Sequence, residues 1–424
     1  MKRVFLLSVM AFVVTLVYAL PSGEKVGKER ALIFITGENV PAEVRVTVDL
    51  FKESESPYFQ DPRAPRFIMV DRKNRVAFGI GGYVKATASY DFAGIANDID
   101  FVTYDIPVPK GDFNRSQLLM DASTSRLFFK LVGQNKALKK FSAYIETDFR
   151  GNNYALRLRQ AYISFRGMIM GQTWSTFTDL GAIPPTIDFE GPTASVAVRN
   201  VQFRYTIPFR DKWEFAIALE NPGYTATLND FVQIAKQRCP DIPMYIQYEW
   251  QKGSHLRLSG ILRGMRYNDL LSSKGRTAFG WGVQMSGLTA LGRKFTLYYQ
   301  GVYGKGISKY INDLGGNNLD MFMSDNGGRL KPVPSAGAVV GLQYNILENL
   351  FASVNYSYLR LFDNDDMLYS PAMYKQGQYL AANMFMTVAN DWQFGVEYLW
   401  GARKNQDDLK SIANRVQIMA QYNF

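Results

Sequence analysis

The sequence predicts an all-β protein, a transmembrane antiparallel β-barrel of about 16 strands with a long inward-folded constriction loop. Three observations carry this. Stretches of about 9 to 11 residues alternate apolar and polar side chains, the length and period of a strand that crosses a bilayer with one apolar face. Their connections alternate between tight turns and long loops, as in barrels whose two rims differ. After the first residues no apolar run reaches the roughly 18 residues of a membrane helix, so a membrane-embedded chain must satisfy its backbone as a closed sheet. The bulk composition agrees: 424 residues, 47% hydrophobic, 14% aromatic and only 20% charged suit one large sheet.

Residues 1–19 read as a signal peptide. Lys2 and Arg3 precede an apolar run from Val4 to Tyr18, and Val17 and Ala19 meet the small-residue preference of a cleavage site. The single cysteine, Cys239, is far from that junction, which leaves no lipid-anchor cysteine there and no intrachain disulfide. Residues 20–75 read as a periplasmic N-terminal extension, a small appendage outside the barrel. Val44, Val46, Val48 and Leu50 alternate with Arg45, Thr47 and Asp49, Phe67 to Val70 forms a second short strand, and Pro57, Pro62 and Pro65 interrupt between them.

From residue 76 to 424, the barrel domain, one grammar repeats. Val76, Phe78, Ile80, Val84, Ala86 and Tyr90 oppose Gly79, Tyr83, Lys85, Thr87 and Ser89. Ala143, Ile145 and Phe149 oppose Tyr144, Glu146 and Asp148; Val201, Phe203 and Tyr205 oppose Gln202 and Arg204. The last strand sets Val416, Ile418, Ala420, Tyr422 and Phe424 against Arg415, Gln417, Gln421 and Asn423. Tight turns are expected at 135–140, 167, 209–212, 252–253, 291–294, 348–349 and 390–391. Long loops are expected at 91–115, 175–200, 222–242, 267–276, 305–334 and 362–377. Tyr90, Trp174, Trp213, Trp250, Trp392, Trp400 and Tyr422 fall near strand ends, where an interfacial aromatic belt would place them.

Two stretches break the alternation. Between Tyr154 and Arg166, Arg157 and Arg159 share a parity with Ala161, Ile163 and Phe165, which needs either a bulge or a cover other than lipid. Between Gln117 and Val132 the polar parity switches near Ser125.

The stretch Met168 to Arg199 organises the rest. A strand ends near Trp174, and Gly181, Pro184, Pro185, Gly191 and Pro192 then forbid both helix and ladder for about 25 residues. A loop of that length is functional or disordered. This one carries Trp174, Phe177, Ile183, Ile187 and Phe189 beside Asp179, Asp188 and Glu190, a mixture that predicts an ordered loop with an acidic edge, folded into the barrel mouth.

Catalytic signatures are missing. The single histidine, His255, follows a turn and reads as a turn residue, and neither HExxH, CxxC nor G-x-S-x-G occurs, so no metal or cofactor is expected. Gly79, Gly81 and Gly82 lie inside a strand and open no helix, so they read as small residues where the wall needs room. The formal charge of +10 is dispersed over an exported chain, which argues against nucleic acid. Reading the polar parity as lumen places Lys85, Arg157, Arg159, Arg204, Arg257, Arg263, Arg403 and Arg415 there with Glu146, Asp148, Glu214, Glu220, Glu249 and Glu397. Opposed charges of this kind align polar solutes.

The run Gly171-Gln172-Thr173-Trp174-Ser175-Thr176-Phe177, with Pro185 to Pro192 after it and Leu158-Arg159-Gln160-Ala161-Tyr162 before it, resembles the DcaP-like trimeric porin family. The resemblance implies a sixteen-stranded homotrimer in the bacterial outer membrane, with the loop after the Gly-Gln-x-Trp strand folded into the channel, passing small anionic solutes such as dicarboxylates. The parity of Tyr154 to Arg166 and Gly280, Gly282 and Gly287 would mark wall that touches another subunit. Lipid, lipopolysaccharide and, through the Phe424 strand, the barrel-insertion machinery are the other expected partners. The functional expectation is a porin for passive diffusion of small hydrophilic, carboxylate-bearing solutes. Arg157, Arg159 and Arg204 are expected to face Asp179, Asp188 and Glu190 across its narrowest point. The competing readings are a barrel-displayed receptor or adhesin with 305–334 and 91–115 as binding loops, and an outer-membrane hydrolase.

Overall fold

The structure, a computed structural model, describes residues 32–35, 50–51, 56–71, 76–92, 94, 99–109, 116–251, 253–324, 327–363, 367, 369–389 and 391–424. The leader expected at 1–19 lies outside them. Among the described residues sixteen antiparallel staves close into a barrel: β1 (Val76–Phe92), β2 (Ser116–Asp121 continued by Arg126–Asn135), β3 (Lys139–Asp148), β4 (Arg157–Phe165), β5 (Met168–Trp174), β6 (Arg199–Phe209), β7 (Trp213–Glu220), β8 (Ile242–Gln251), β9 (Ser254–Asp269), β10 (Lys274–Leu291), β11 (Phe295–Lys305), β12 (Pro334–Leu347), β13 (Leu350–Leu361), β14 (Tyr374–Val388), β15 (Trp392–Asn405) and β16 (Lys410–Asn423). Each pairs with the next, and β16 closes on β1 with Val416 opposite Tyr90. Phe424 exchanges backbone hydrogen bonds with Gly82.

The alternation sorts as the sequence predicts. Val84, Ile145, Phe203, Val283, Val354, Val396 and Ile418 are exposed, while their neighbours Lys85, Glu146, Gln202, Gln284, Asn355, Glu397 and Gln417 are buried. So much exposed apolar wall is tolerable only in lipid. Tyr90, Trp213 and Trp392 stand on that outer face. Trp174 does not: at the end of β5 it is buried against Tyr58.

Both irregular stretches now have causes. Glu146 pairs with Gln160 and Thr147 with Leu158, so a bulge at Arg159 turns Arg159 and Gln160 inward together. The broken parity of β4 is therefore explained by a bulge within the chain. Gly280, Gly282 and Gly287 likewise make room for Met265, Ile307 and Tyr299 of the same chain. In β2, the turn at Ala122–Ser125 resets the parity, and Ser125 Oγ accepts from the Lys85 amide at 3.0 Å.

Two boundaries differ from expectation. The long loop predicted at 267–276 is a tight turn between β9 and β10: Asp269 accepts from the Ser272 amide and hydroxyl (3.1 and 2.7 Å) and from Arg276 Nε (2.8 Å). The described part of the lead-in is no appendage outside the barrel. Phe67–Asp71 pairs with Val76–Ile80 as an added strand beside the Phe424 end, and 56–66 passes inside the wall. The prolines that prevent a ladder there do not prevent side-chain packing.

Candidate pore-lining site

Residues 175–198, between β5 and β6, hydrogen-bond to the inward-facing parity of distant strands. Glu397 of β15 accepts from the Ile187 amide at 3.0 Å and the Asp188 amide at 2.9 Å. Asn383 Nδ2 of β14 donates to Pro185 O at 2.9 Å, and Ser357 Oγ of β13 accepts from the Ala194 amide at 2.9 Å. Lys85 Nζ of β1 donates to Ile187 O at 3.0 Å. Pro184 and Pro185 keep this backbone from pairing with itself, so its polar groups turn to the wall.

The acidic residues of the segment take separate partners. Asp179 meets His255 Nε2 at 2.9 Å and Ser286 Oγ at 2.7 Å, with Arg257 at 3.9 Å. Burial pushes its carboxyl up, but the Arg257 charge and the His255 and Ser286 hydrogen bonds win and hold it below the usual range. His255 is thus an anchor for the loop and more than a turn residue. Ser286 and His255 both point at the same carboxylate and not at each other, which is not the geometry of a nucleophile relay. Asp188 accepts from the Phe101 amide (3.1 Å) and Tyr379 OH (3.0 Å). Burial, with Asp100 and Glu397 nearby, raises it to about 8. Burial and the charges of Asp100, Asp313 and Asp188 likewise push Glu190 well above its ordinary value.

The arginines do not face these acids as expected. Arg157 forms a bidentate pair with Asp148 (3.0 and 2.6 Å), and Arg159 bridges Glu146 (2.6 Å) and Asp148 (2.8 Å), all on adjacent strands. What they share with the loop is Phe189. The guanidinium carbons of Arg150, Arg159, Arg126 and Arg157 stand 4.9, 5.0, 5.7 and 6.0 Å from its ring centroid. Arg126 and Arg150, absent from the expected set, belong to this cluster, with Asp61 and Asp100 as their partners at 2.8 and 2.5 Å. Arg263 stands elsewhere, buried between Asp241 (3.1 Å) and Asp320 (2.7 Å).

On the short-turn side lies a cavity of about 490 Å³ lined by Tyr144, Tyr162, Trp174, Arg204, Tyr245 and Arg257 among others. Arg257 stacks over the Tyr245 ring at 4.0 Å and donates to Thr178 O at 3.0 Å. Arg204 Nε has no hydrogen-bond partner among the described residues. Arg204 is one of the residues that line the cavity, and a guanidinium there would match a carboxylate fork.

On the opposite flank the segment is dry. Phe177, Ala194 and Val196 bury with Ile307, Tyr310, Ile311 and Leu314 of the connection 306–333. Asp313 there, raised by burial to about 6, accepts from the Thr103 amide at 2.8 Å.

The model of the DcaP outer membrane protein family matches residues 66–424. The fold is similar to the outer membrane channel DcaP of Acinetobacter baumannii, with TM-score 0.73 and 23% identity over 84% of this chain and 99% of that one. It is also similar to the anion-selective porin from Comamonas acidovorans (TM-score 0.55, 11% identity, 82% and 100% covered). A third likeness is to OmpT of Vibrio cholerae in its trimer form (0.51, 11%, 82% and 99%). No curated protein matches the sequence.

Proposed function

The chain belongs to the DcaP outer membrane protein family, and from that premise we propose that it is a passive porin of the bacterial outer membrane with a preference for small anionic, carboxylate-bearing solutes. The observation that supports the preference is the vestibule: Arg204 and Arg257 face a cavity of about 490 Å³, large enough for a small organic acid. In our reading the segment 175–198 narrows the channel, and solutes pass on its charged flank beside Phe189. A homotrimer, embedded in lipid and lipopolysaccharide and inserted through its Phe424 strand, is part of the same proposal. It draws on the resemblance and on the trimer form of OmpT. In the receptor reading, the 305–334 loop would offer less of its chain to a ligand, since Ile307, Tyr310, Ile311 and Leu314 are buried.

Planar-bilayer recording tests this. Stepwise conductance with a reversal potential on the anion side is expected in a salt gradient, and Arg204→Gln with Arg257→Gln should move that potential toward cations by roughly 10 mV or more. An unchanged potential would remove the vestibule from the selectivity mechanism. A protein that binds solutes in a closed bilayer would instead support the receptor.

A further inference from the structure

Residues 56–66 cross the lumen directly against the short-turn side of the 175–198 loop. On one wall, Tyr58 packs edge-on against Trp174 with centroids 5.5 Å apart. On another, Phe59 meets Phe385 at 4.7 Å and Phe351 at 5.8 Å. Between these contacts Gln60 Nε2 donates to Asp188 O at 2.7 Å and to Thr186 Oγ1 at 3.2 Å, and Gln60 O accepts from Tyr83 OH at 3.1 Å. Asp61 then accepts from Arg126 Nη1 at 2.8 Å and from Trp174 Nε1 at 3.3 Å. The segment leaves over Gly81, where a Cβ would stand 2.9 Å from Pro65 Cα, and Arg66 pairs with Asp391 at 2.7 Å.

We propose that residues 56–66 form a resident plug in which the Asp61 carboxylate occupies the Arg126 guanidinium in place of a passing anion, so that the seated strap is the low-conductance state.

Two further observations separate a plug from a wall. The strap carries no strand, so side-chain contacts hold it and its release would break no sheet ladder. The family match begins at residue 66, so all but the last residue of the strap lies outside the region this chain shares with the family. Glu146 stands 3.3 Å from the same Arg126 Nη1, and the Nε and Nη2 of that guanidinium are buried without a hydrogen-bond partner among the described residues, so the fork is only part-filled while the strap covers it. The strap lines the vestibule at Ser56, Pro57 and Asp61 to Pro65, so its departure would widen the space that Arg204 and Arg257 face. This proposal rests on the channel reading above.

The test uses the full-length chain in planar bilayers, comparing the wild type with Asp61→Arg, which sets two cations against each other, and with Phe59→Ala plus Gln60→Ala, which leaves the charge unchanged. Both variants should raise the unit conductance by about twofold or more. In parallel, Pro62→Cys in a Cys239→Ser background should react slowly with a membrane-impermeant thiosulfonate, since Pro62 is buried in the seated strap, and adding Asp61→Arg should speed that reaction about tenfold or more. Unchanged conductance in both variants, or an introduced thiol that reacts equally fast with and without Asp61→Arg, would overturn the plug. If none of the proteins conducts, the channel reading itself fails, and the reactivity of the Pro62→Cys variant still decides whether the strap is a displaceable occupant.

Discussion

The two flanks of the 175–198 loop are built from opposite materials. On one, Phe177, Ala194 and Val196 join a buried apolar cluster with Ile307, Tyr310 and Ile311. On the other, Phe189 sits among the guanidinium groups of Arg126, Arg150, Arg157 and Arg159, which Asp61, Asp100, Glu146 and Asp148 balance. Apolar packing fixes a loop without leaving a passage, whereas charged groups are costly to bury and hold ordered water between them. The contrast teaches that one loop can be packed by apolar contacts on one side and by paired charges on the other, and in the proposed reading selection belongs to the charged side.

The largest effect should come from breaking the dry flank. Phe177→Ala removes a fully buried ring and should cost the loop about 3–5 kcal/mol of anchoring. Amide hydrogen exchange across 175–198 should accelerate accordingly, with the barrel strands still protected. Exchange no faster than in the wild type would mean that hydrogen bonds to Glu397 and Asn383 hold the loop without the apolar cluster.

A smaller effect is expected on the charged flank. Arg157→Ser with Arg159→Ser leaves Asp148 without its cations and Glu146 with Arg126 alone, so reversal potentials in a salt gradient should move toward cations and conductance should widen modestly. Unaltered selectivity would show that the pairs only brace the wall.

The smallest effect near neutrality concerns pH. Because the Asp188 carboxyl is raised from 3.8 to about 8, its protonated form suits the folded loop. That contribution is fully present below about pH 4 and is lost as pH rises through about 8, at up to roughly 1.4 kcal/mol per unit. Conductance noise should therefore grow as pH rises from about 5 to about 8 in the wild type and then level off, and Asp188→Asn should flatten the trend. A pH-independent record would place the ionised form in the loop, stabilised by the Phe101 amide and Tyr379.

Alternation along the chain was enough to determine the barrel, its lipid face and most of its turns. The side-chain period of a strand is a local property, and lipid outside and water inside demand opposite chemistry at successive residues. The bulge at Arg159 was visible as a broken parity because a bulge adds one residue to one strand and shifts everything after it. The partners of the loop were not visible in the same way. Asp188 meets Glu397 from 209 positions away, and Asp61 meets Arg126 from 65, and no period connects such pairs. That Arg157 and Arg159 pair with the adjacent strand follows from register, which a bulge can reassign. That residues 56–66 lie inside the barrel was decided only by closure, since a proline-rich stretch has no periodicity of its own and takes its place from the cavity that the finished wall encloses.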